Sequence, residues 1–312
     1  MFLANHQNAL LDALLIATHC KRKPYFLTRS DVFKTALLKV FFGFLQMIPV
    51  YRIRDGKNSL AGNTAIFERC AQLLGRGEAV LIFPEGNHSL KRRVRPLSKG
   101  FTRILFLALE SNPSMDIGIV PIGVNYANAA KFPDKAALYY GKEIRVQDFF
   151  DKKDVSGSAS RLKEEVYHHL KKLTTHIEEE SSYEEIVHTL DRAKVDYLDP
   201  AGVNRIIEEG TSPENRKIGK GKVALVKYIL RGAFFILNFP MIIIWSIFIK
   251  PKVSEPEFLS TTRFMYALLF YPFFYLLFIA GMLEFLNWPA TSIICLAHLT
   301  LNIVLVKLSW ED

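Results

Sequence analysis

Residues 79–89 read Ala-Val-Leu-Ile-Phe-Pro-Glu-Gly-Asn-His-Ser, an apolar run followed at once by a polar turn. The apolar run predicts a buried strand at Ala79–Phe83, and the proline and glycine that follow predict where it ends. Residues 2–12, Phe-Leu-Ala-Asn-His-Gln-Asn-Ala-Leu-Leu-Asp, show the same arrangement after a strand predicted at Phe2–Ala4. Ligands of α/β domains bind beyond the carboxyl ends of the strands, so both polar turns are candidate site segments.

Further strands and helices alternate along the first half of the chain, which is typical of an α/β domain. Helices are predicted at Thr64–Leu74, with Asn63 as its cap, and at Lys99–Glu110. An amphipathic helix is predicted from Ser160 onward, where apolar residues recur every three or four positions as far as Ile177. The remaining predicted strands are Ile48–Tyr51, Ile117–Val124 and Ala137–Tyr140.

Three long uncharged runs lie near the C-terminus, at Gly232–Ile249, Phe264–Leu283 and Phe285–Val306. About 20 apolar residues span a bilayer core as a helix, so these runs predict two or three transmembrane helices. Asn238 and Pro240 interrupt the first run and predict a kink there. The other two runs are nearly contiguous and predict a helical hairpin.

The chain is therefore expected to have three parts. Residues 1–149 form an α/β domain, residues 150–231 a helical connector that includes a polar linker at 210–222, and residues 232–312 the membrane region. Several lysines and an arginine precede the first apolar run, which predicts by the positive-inside rule that the first two parts are cytoplasmic. Met1–Ala4 is too short for the apolar core of a signal peptide, so no signal peptide is expected.

Composition and charge narrow the possible functions. Half of the 312 residues are hydrophobic, which excludes a disordered chain, and the three cysteines are too few for a disulfide scaffold. Residues 1–103 hold 17 Lys/Arg against 6 Asp/Glu, so the basic excess lies in the first third. Such a field attracts phosphates on nucleic acid, lipid headgroups or small substrates. The apolar runs and the lack of aromatic residues among the basic ones disfavour nucleic acid.

The first polar turn contains a histidine with an acid six positions later, His6 and Asp12. In a turn that enters a helix, the carboxylate could reach back to one ring nitrogen and fix the tautomer, leaving the other nitrogen free to accept a proton. The alternative is a helix-capping Asn-His pair with an unrelated aspartate, because His-to-Asp spacings of this kind often arise by chance.

The second polar turn would display Glu85 and His88, unless it is an ordinary strand-to-loop turn. A basic cluster follows it, and Arg52 and Arg54 precede it in the chain. Arginines make bidentate phosphate contacts, although most cations in such a run are simply solvated. The members of the cluster are Lys91, Arg92, Arg93, Arg95 and Lys99.

Taken in order, four blocks resemble the phospholipid/glycerol acyltransferase family, whose bacterial member makes phosphatidic acid from lysophosphatidic acid. Asn5–Asp12 is similar to the family's His-x4-Asp block, Ile48–Arg54 to its second block, Phe83–Ser89 to its Phe-Pro-Glu-Gly-Thr-Arg-Ser block and Val120–Ile122 to its Val-Pro block. The resemblance covers about residues 1–145. It implies an α/β fold with a mixed sheet flanked by helices, and a membrane-bound O-acyltransferase that acts on 1-acyl-glycerol-3-phosphate among membrane phospholipids.

The resemblance also implies roles for single residues. His6 would take the proton from the acceptor hydroxyl and Asp12 would hold the imidazole, while acyl-CoA or acyl-carrier protein would donate the acyl group. Backbone amides near Gly86 or a cationic side chain would stabilise the oxyanion. Neither a cofactor nor a metal is expected. Substrate binding is assigned to a larger set, comprising Arg52, Arg54, Glu85, Gly86, Asn87, His88, Arg92 and Arg93.

Two departures from the family pattern leave alternatives open. Five residues, not four, separate His6 from Asp12, and His88 and Asn87 stand where the family has Arg and Thr. The acceptor could be glycerol-3-phosphate or another lipid, and a non-catalytic membrane protein that binds anionic lipids is the rival of another class. Four further histidines in charged helical sequence are expected at the surface, namely His168, His169, His176 and His188.

Overall fold

The computed structural model describes residues 1–33, 35–51, 57–210 and 222–310. Two compact units are present: Met1–Ala127 with Lys135–Glu214, and Asn128–Asp134 with Asn215–Asp312. Arg52 and Arg54, and most of the linker predicted at 210–222, lie outside the described residues.

The first unit is built on a seven-stranded mixed sheet, so the predicted α/β fold class is confirmed. The strand order is β3-β2-β4-β1-β5-β6, and β7 also pairs with β5. The first five strands of this order run parallel, whereas β6 and β7 are antiparallel to β5. The strands are β1 (Phe2–Ala4), β2 (Tyr25–Arg29), β3 (Met47–Val50), β4 (Val80–Ile82), β5 (Gly118–Tyr126), β6 (Ala136–Tyr140) and β7 (Ile144–Arg145).

This topology explains why the two polar turns meet. Strand β1 lies between β4 and β5, with Leu3 opposite both Ile82 and Pro121. Since the three strands are parallel, their carboxyl ends lie at one edge of the sheet. The residues that follow β1 and β4, and the last residues of β5, therefore converge although they are far apart in sequence.

Seven helices of the described chain belong to the first unit, and both helices predicted between the strands are confirmed. The first of them begins earlier than predicted, at Lys57, so Asn63 is not its cap. The Asn63 side chain instead accepts a hydrogen bond from Tyr51 N and donates one to Tyr51 O, at 2.9 and 2.7 Å. The helices are α1 (Ala9–His19), α2 (Ala36–Phe44), α3 (Lys57–Gly75), α4 (Gly100–Ser111), α5 (Val155–Leu173), α6 (Tyr183–Ala193) and α7 (Pro200–Glu209).

Helix α5 is the predicted amphipathic helix, and it packs into the main core. Its Leu162, Val166 and Leu170 are fully buried in the same cluster as Phe101 of α4. The helix ends at Leu173, four residues before Ile177, which packs in a smaller cluster with α6 and α7. The α/β core thus continues past residue 149, and the division of the first unit into a catalytic domain and a connector stays a prediction.

The second unit contains α8 (Lys222–Leu237), α9 (Phe239–Ile244), α10 (Leu259–Leu283) and α11 (Trp288–Trp310). Two helical stretches, Pro256–Leu283 and Trp288–Trp310, are long and apolar enough to cross a membrane. A third span is counted if the two helices on either side of Asn238, which meet at 83°, form one broken span. The bend therefore lies at the predicted kink.

Polar side chains hold this bend together. Asn238 Nδ2 donates to Asn302 Oδ1 at 2.6 Å, and Tyr271 OH donates to Asn238 Oδ1 at 3.0 Å. Tyr275 OH lies 2.8 Å from His298 Nδ1, and His298 Nε2 lies 3.3 Å from Leu237 O at the end of α8. Backbone groups exposed at a break in an apolar helix need such partners, because lipid offers none.

Candidate active site

The site begins with a histidine–aspartate pair that the structure brings into contact. His6 follows β1, Asp12 lies in the first turn of α1, and His6 Nδ1 is 2.7 Å from Asp12 Oδ2. An ionised carboxylate at this distance requires a proton on Nδ1, so Nε2 of the neutral ring carries the lone pair. The His6 side chain is 17% exposed, whereas that of Asp12 is fully buried. This geometry suits a base that accepts a proton through Nε2.

Asp12 is held by donors on both carboxylate oxygens. Oδ2 accepts hydrogen bonds from the backbone N–H groups of Gln7 and Asn8, each at 2.8 Å. Oδ1 accepts a hydrogen bond from Tyr126 OH at 2.6 Å. Both oxygens of this buried carboxylate therefore have hydrogen-bond donors, as a buried polar group requires.

The five-residue spacing between His6 and Asp12 is accommodated by a turn with one unusual backbone angle. Ala9, the first residue of α1, has φ = 41°, in the left-handed region. Such a φ is unfavourable for a residue with a Cβ atom. The turn nevertheless directs the Gln7 and Asn8 amides at the aspartate, so the longer spacing preserves the pairing.

The turn after β4 forms the opposite side of the site. The Phe83 ring stacks on the His6 ring with centroids 4.1 Å apart, and the His88 ring meets it edge-on at 5.6 Å. Ser89 N donates to His6 O at 3.0 Å, which ties the two polar turns together. Gly86 has φ = 72°, and its N–H donates to Phe83 O at 3.1 Å. The Gly86 amide thus closes the turn, and the choice between neighbouring backbone amides and a cationic side chain for the oxyanion stays a prediction.

Glu85 is the second buried acid of the site. Its side chain is 2% exposed, and Arg95 Nε donates to Glu85 Oε2 at 3.0 Å. Arg95 also donates to Asn87 O, so it braces the whole turn. Burial raises the pKa of Glu85 to about 7, Arg95 opposes the rise, and the Asp12 carboxylate adds to it. Burial prevails because the Arg95 guanidinium is itself partly exposed to solvent.

The cations of the basic cluster do not share one role. Arg92 Nη1 and Nη2 donate to the carbonyl oxygens of Tyr126 and Ala127 at 3.0 and 2.8 Å. Its guanidinium also lies 3.3 Å from the centre of the Tyr197 ring. The assignment of Arg92 to a substrate phosphate stays a prediction; in the structure its guanidinium joins the end of β5 to Tyr197 between α6 and α7.

Arg93 and Lys91 point elsewhere and share one exposed carboxylate. Arg93 Nη1 lies 3.1 Å and Lys91 Nζ 3.4 Å from the Glu180 carboxylate, which is 70% exposed. Such solvent-exposed ion pairs are weak, so an incoming anion can compete with Glu180. These two cations remain available to a phosphate, unlike Arg92 and Arg95.

A small crevice lies beside His6. Its volume is about 10 Å³, which is room for about one water molecule. An acceptor therefore requires the crevice to widen at one of its walls. Its lining comprises Asn5, His6, Gln7, Glu85, Ser89, Arg93, Val94, Thr174 and Thr175.

Several residues of the site carried no sequence signal. Thr174 and Thr175 reach the crevice from the loop after α5, and Tyr126 reaches Asp12 from the end of β5. His176 is a correction, because it was expected at the surface and is buried. Its Nδ1 accepts a hydrogen bond from Val94 N at 3.0 Å, and burial lowers the pKa of His176. No local sequence pattern marks these residues, because they come together only when the sheet and the loop after α5 are folded.

Residues 1–125 match the family described as Acyltransferase. The matched segment holds the His6–Asp12 pair, the turn after β4 and Arg93. It ends one residue before Tyr126 and contains none of the residues that reach the site from beyond α5. The match thus covers the His6–Asp12 pair but not its full surroundings.

The chain is similar to two Saccharomyces cerevisiae proteins, glycerol-3-phosphate O-acyltransferases 1 and 2. Identity is 26% over 83 residues with the first and 32% over 84 residues with the second. Each match covers 27% of this chain and 11% of the relative, so the chain spans about a tenth of the length of these yeast proteins. The solved 1-acyl-sn-glycerophosphate acyltransferase PlsC of Thermotoga maritima is 16% identical, with a TM-score of 0.38 over 57% of this chain and 67% of that one.

Proposed function

We propose that this protein transfers a fatty acyl group from an acyl-CoA or acyl-carrier-protein thioester to the free hydroxyl of 1-acyl-glycerol-3-phosphate, forming phosphatidic acid. The observation that carries this proposal is the 2.7 Å contact between His6 Nδ1 and the buried Asp12 carboxylate, beside a crevice that Arg93 also lines. An alcohol is a poor nucleophile at neutral pH, so its proton must be removed during attack, and a base in this position would remove it.

The reaction would proceed by direct attack. The acceptor hydroxyl oxygen bonds to the thioester carbonyl carbon while its proton passes to His6 Nε2. The tetrahedral intermediate then collapses, the carbon–sulfur bond breaks, and the imidazolium returns the proton to the leaving thiolate. Asp12 stabilises the imidazolium between the two steps, and proton transfer of this kind contributes about 10²–10⁴-fold in rate. The sequence has no Gly-x-Ser-x-Gly nucleophile elbow, which favours direct attack over an acyl-enzyme.

Acceptor binding would use Arg93 and Lys91. Arg93 lines the same crevice as His6, so a phosphate held there would place a glycerol hydroxyl near the base. Arg52 and Arg54, which lie outside the described residues, are proposed as further phosphate ligands from the second block. Fixing the acceptor in this way turns a chance encounter into a defined geometry.

The membrane helices fit a lipid acceptor and product. The basic residues before the apolar run at Gly232–Ile249, including Lys227 and Arg231, favour a cytoplasmic location for residues 1–231. Acyl-CoA and acyl-carrier protein are cytoplasmic donors, while the lysolipid resides in the bilayer. We therefore propose an integral membrane enzyme whose catalytic domain lies on the cytoplasmic side.

Glycerol-3-phosphate is the second candidate acceptor. The observation that favours it is the similarity of this chain to two yeast glycerol-3-phosphate O-acyltransferases. Both acceptors carry the same phosphate monoester next to a glycerol hydroxyl, so the same cations would serve either.

The test is a thiol-release assay with purified full-length protein, an acyl-CoA, and each acceptor in turn. We expect thiol release that depends on 1-acyl-glycerol-3-phosphate, with phosphatidic acid as the product. Faster release with glycerol-3-phosphate would select the second candidate. Binding of phosphatidic acid vesicles without any thiol release, with acyl-carrier-protein thioesters also tested as donors, would show a non-catalytic lipid-binding protein instead.

A further inference from the structure

Tyr126 makes the one side-chain hydrogen bond that the described structure gives to Asp12 Oδ1. The distance is 2.6 Å, and Tyr126 is 4% exposed. It stands at the last position of β5, and 114 positions separate it from Asp12. The other oxygen, Oδ2, faces His6 Nδ1 and two backbone N–H groups. The tyrosine hydroxyl therefore binds the carboxylate oxygen that does not contact the histidine.

The end of β5 is itself anchored from two directions. Arg92 binds the carbonyl oxygens of Tyr126 and Ala127 and stacks on Tyr197. Upstream, Asn5 Nδ2 donates to Val124 O at 2.9 Å, and Val124 N donates to Asn5 Oδ1 at 2.7 Å. Asn5 directly precedes His6, so the strand that carries Tyr126 is bonded to the segment that carries the base.

We propose that Tyr126 is a positioning residue for the His6–Asp12 pair, and that Arg92 acts on the pair by fixing Tyr126. The proposal deepens the proposed function and rests on it for its kinetic consequences. Tyr126 would not touch substrate. It would hold the carboxylate plane and withdraw part of its charge, because a hydrogen bond to a charged acceptor stabilises the ionised form.

The direction of the pH shift expected for Tyr126→Phe follows from the charge on the Asp12 carboxylate. Without the hydroxyl, Asp12 is a stronger hydrogen-bond acceptor and binds the imidazolium more tightly, so His6 is neutral only at higher pH. Among the residues that the structure describes, the other charged or titratable groups facing the ring are Glu85 and His88 from the turn after β4, and Arg93 across the crevice. A Tyr126→Phe substitution leaves these groups in place, so a pH shift would report on Asp12.

The experiment compares Tyr126→Phe with wild type in acyl transfer across pH 5–9. We expect kcat to fall about tenfold with KM unchanged, because the Asp12 carboxylate is no longer held in the orientation that aligns the imidazole. We expect the acidic limb of the profile to move up by about half a pH unit or more, because the unshared carboxylate charge binds the imidazolium more tightly. The matched control is Tyr139→Phe, which removes a hydroxyl that donates to Leu198 O, also at 2.6 Å, far from Asp12. It should leave both the rate and the limb unchanged. A uniform loss of rate with an unmoved limb would reduce Tyr126 to a structural role and overturn the proposal.

A second measurement needs no substrate and separates the two hypotheses. In protein with ¹³C-labelled histidine, the His6 signal is assigned by its absence in His6→Ala and followed with pH by NMR. The signal of Tyr126→Phe should titrate at higher pH than that of wild type. If it does so while wild type transfers no acyl group, the proposed function fails and the Tyr126 coupling stands. If wild type is active and the titration is unchanged, the Tyr126 proposal fails alone.

Discussion

Replacing Asp12 by asparagine separates the charge of the His6–Asp12 pair from its geometry. The amide oxygen can take the place of Oδ2 and accept from Gln7 N, Asn8 N and His6 Nδ1. The amide nitrogen then faces the Tyr126 hydroxyl, which can accept a hydrogen bond as well as donate one. Asp12→Asn is therefore expected to fold with His6 in place. Asp12→Ala, in contrast, would leave two buried N–H groups without partners.

The size of the effect follows from the lost attraction between carboxylate and imidazolium. Opposite unit charges about 4 Å apart attract by roughly 4 kcal/mol at an effective dielectric constant of about 20. Since the imidazolium forms only as the reaction proceeds, kcat should fall about 10³-fold with KM little changed. Thiol release by the purified variant measures this rate, and thermal unfolding checks the fold. The matched control is Asp154→Asn, which alters an exposed carboxylate that accepts a backbone N–H from Gly157 at 2.8 Å and should leave the rate unchanged. A folded Asp12→Asn enzyme with more than a tenth of the wild-type rate would refute the reasoning.

Three further results are expected. Because the pKa of buried Glu85 is about 7 when folded and 4.5 in the reference state, the native protein binds the extra proton between these pH values. Stability should therefore fall as pH rises from 5 to 8, and Tm measurements on Glu85→Gln should show a flatter slope. Glu180→Gln should lower KM for a phosphorylated acceptor about two- to fivefold by releasing Arg93, with kcat unchanged. The control Glu184→Gln, at an exposed position of α6, should leave KM unchanged. Equal KM values for Glu180→Gln and wild type would exclude competition between Glu180 and the acceptor phosphate for Arg93. Ala9→Gly should raise the free energy of unfolding by up to about 1 kcal/mol in denaturant titrations because it relieves the positive φ, and a loss of stability would contradict this account of the turn.

The parts of the fold and site that sequence predicts are those set by local pattern. The pairing of His6 with Asp12 depends on one turn between a strand and a helix, and short-range geometry limits where a side chain six positions away can go. The apolar runs at β1, β4 and β5 were recognisable for the same reason. Strand β2, with the sequence Tyr-Phe-Leu-Thr-Arg, was missed because it has no continuous apolar run.

The sequence does not predict the contacts that form when distant segments of the chain fold back onto one another. Arg92 and Arg93 are neighbours of the same type, yet one binds carbonyl groups at the end of β5 and the other faces the crevice. Tyr126 lies on an apolar strand and has no local feature that marks it as a partner of Asp12. His176 lies among charged residues and looked exposed, but the loop after α5 folds back so that Val94 N reaches its ring.

The central claim is that His6 removes the proton from the acceptor hydroxyl. Its most direct test is acyl transfer by His6→Ala, compared with His168→Ala, which removes an exposed histidine of α5. The account predicts that the first variant loses acyl transfer at least 10²-fold while keeping its Tm and its membrane insertion, and that the second is unaffected. A folded His6→Ala protein that forms product at a near-normal rate would contradict it.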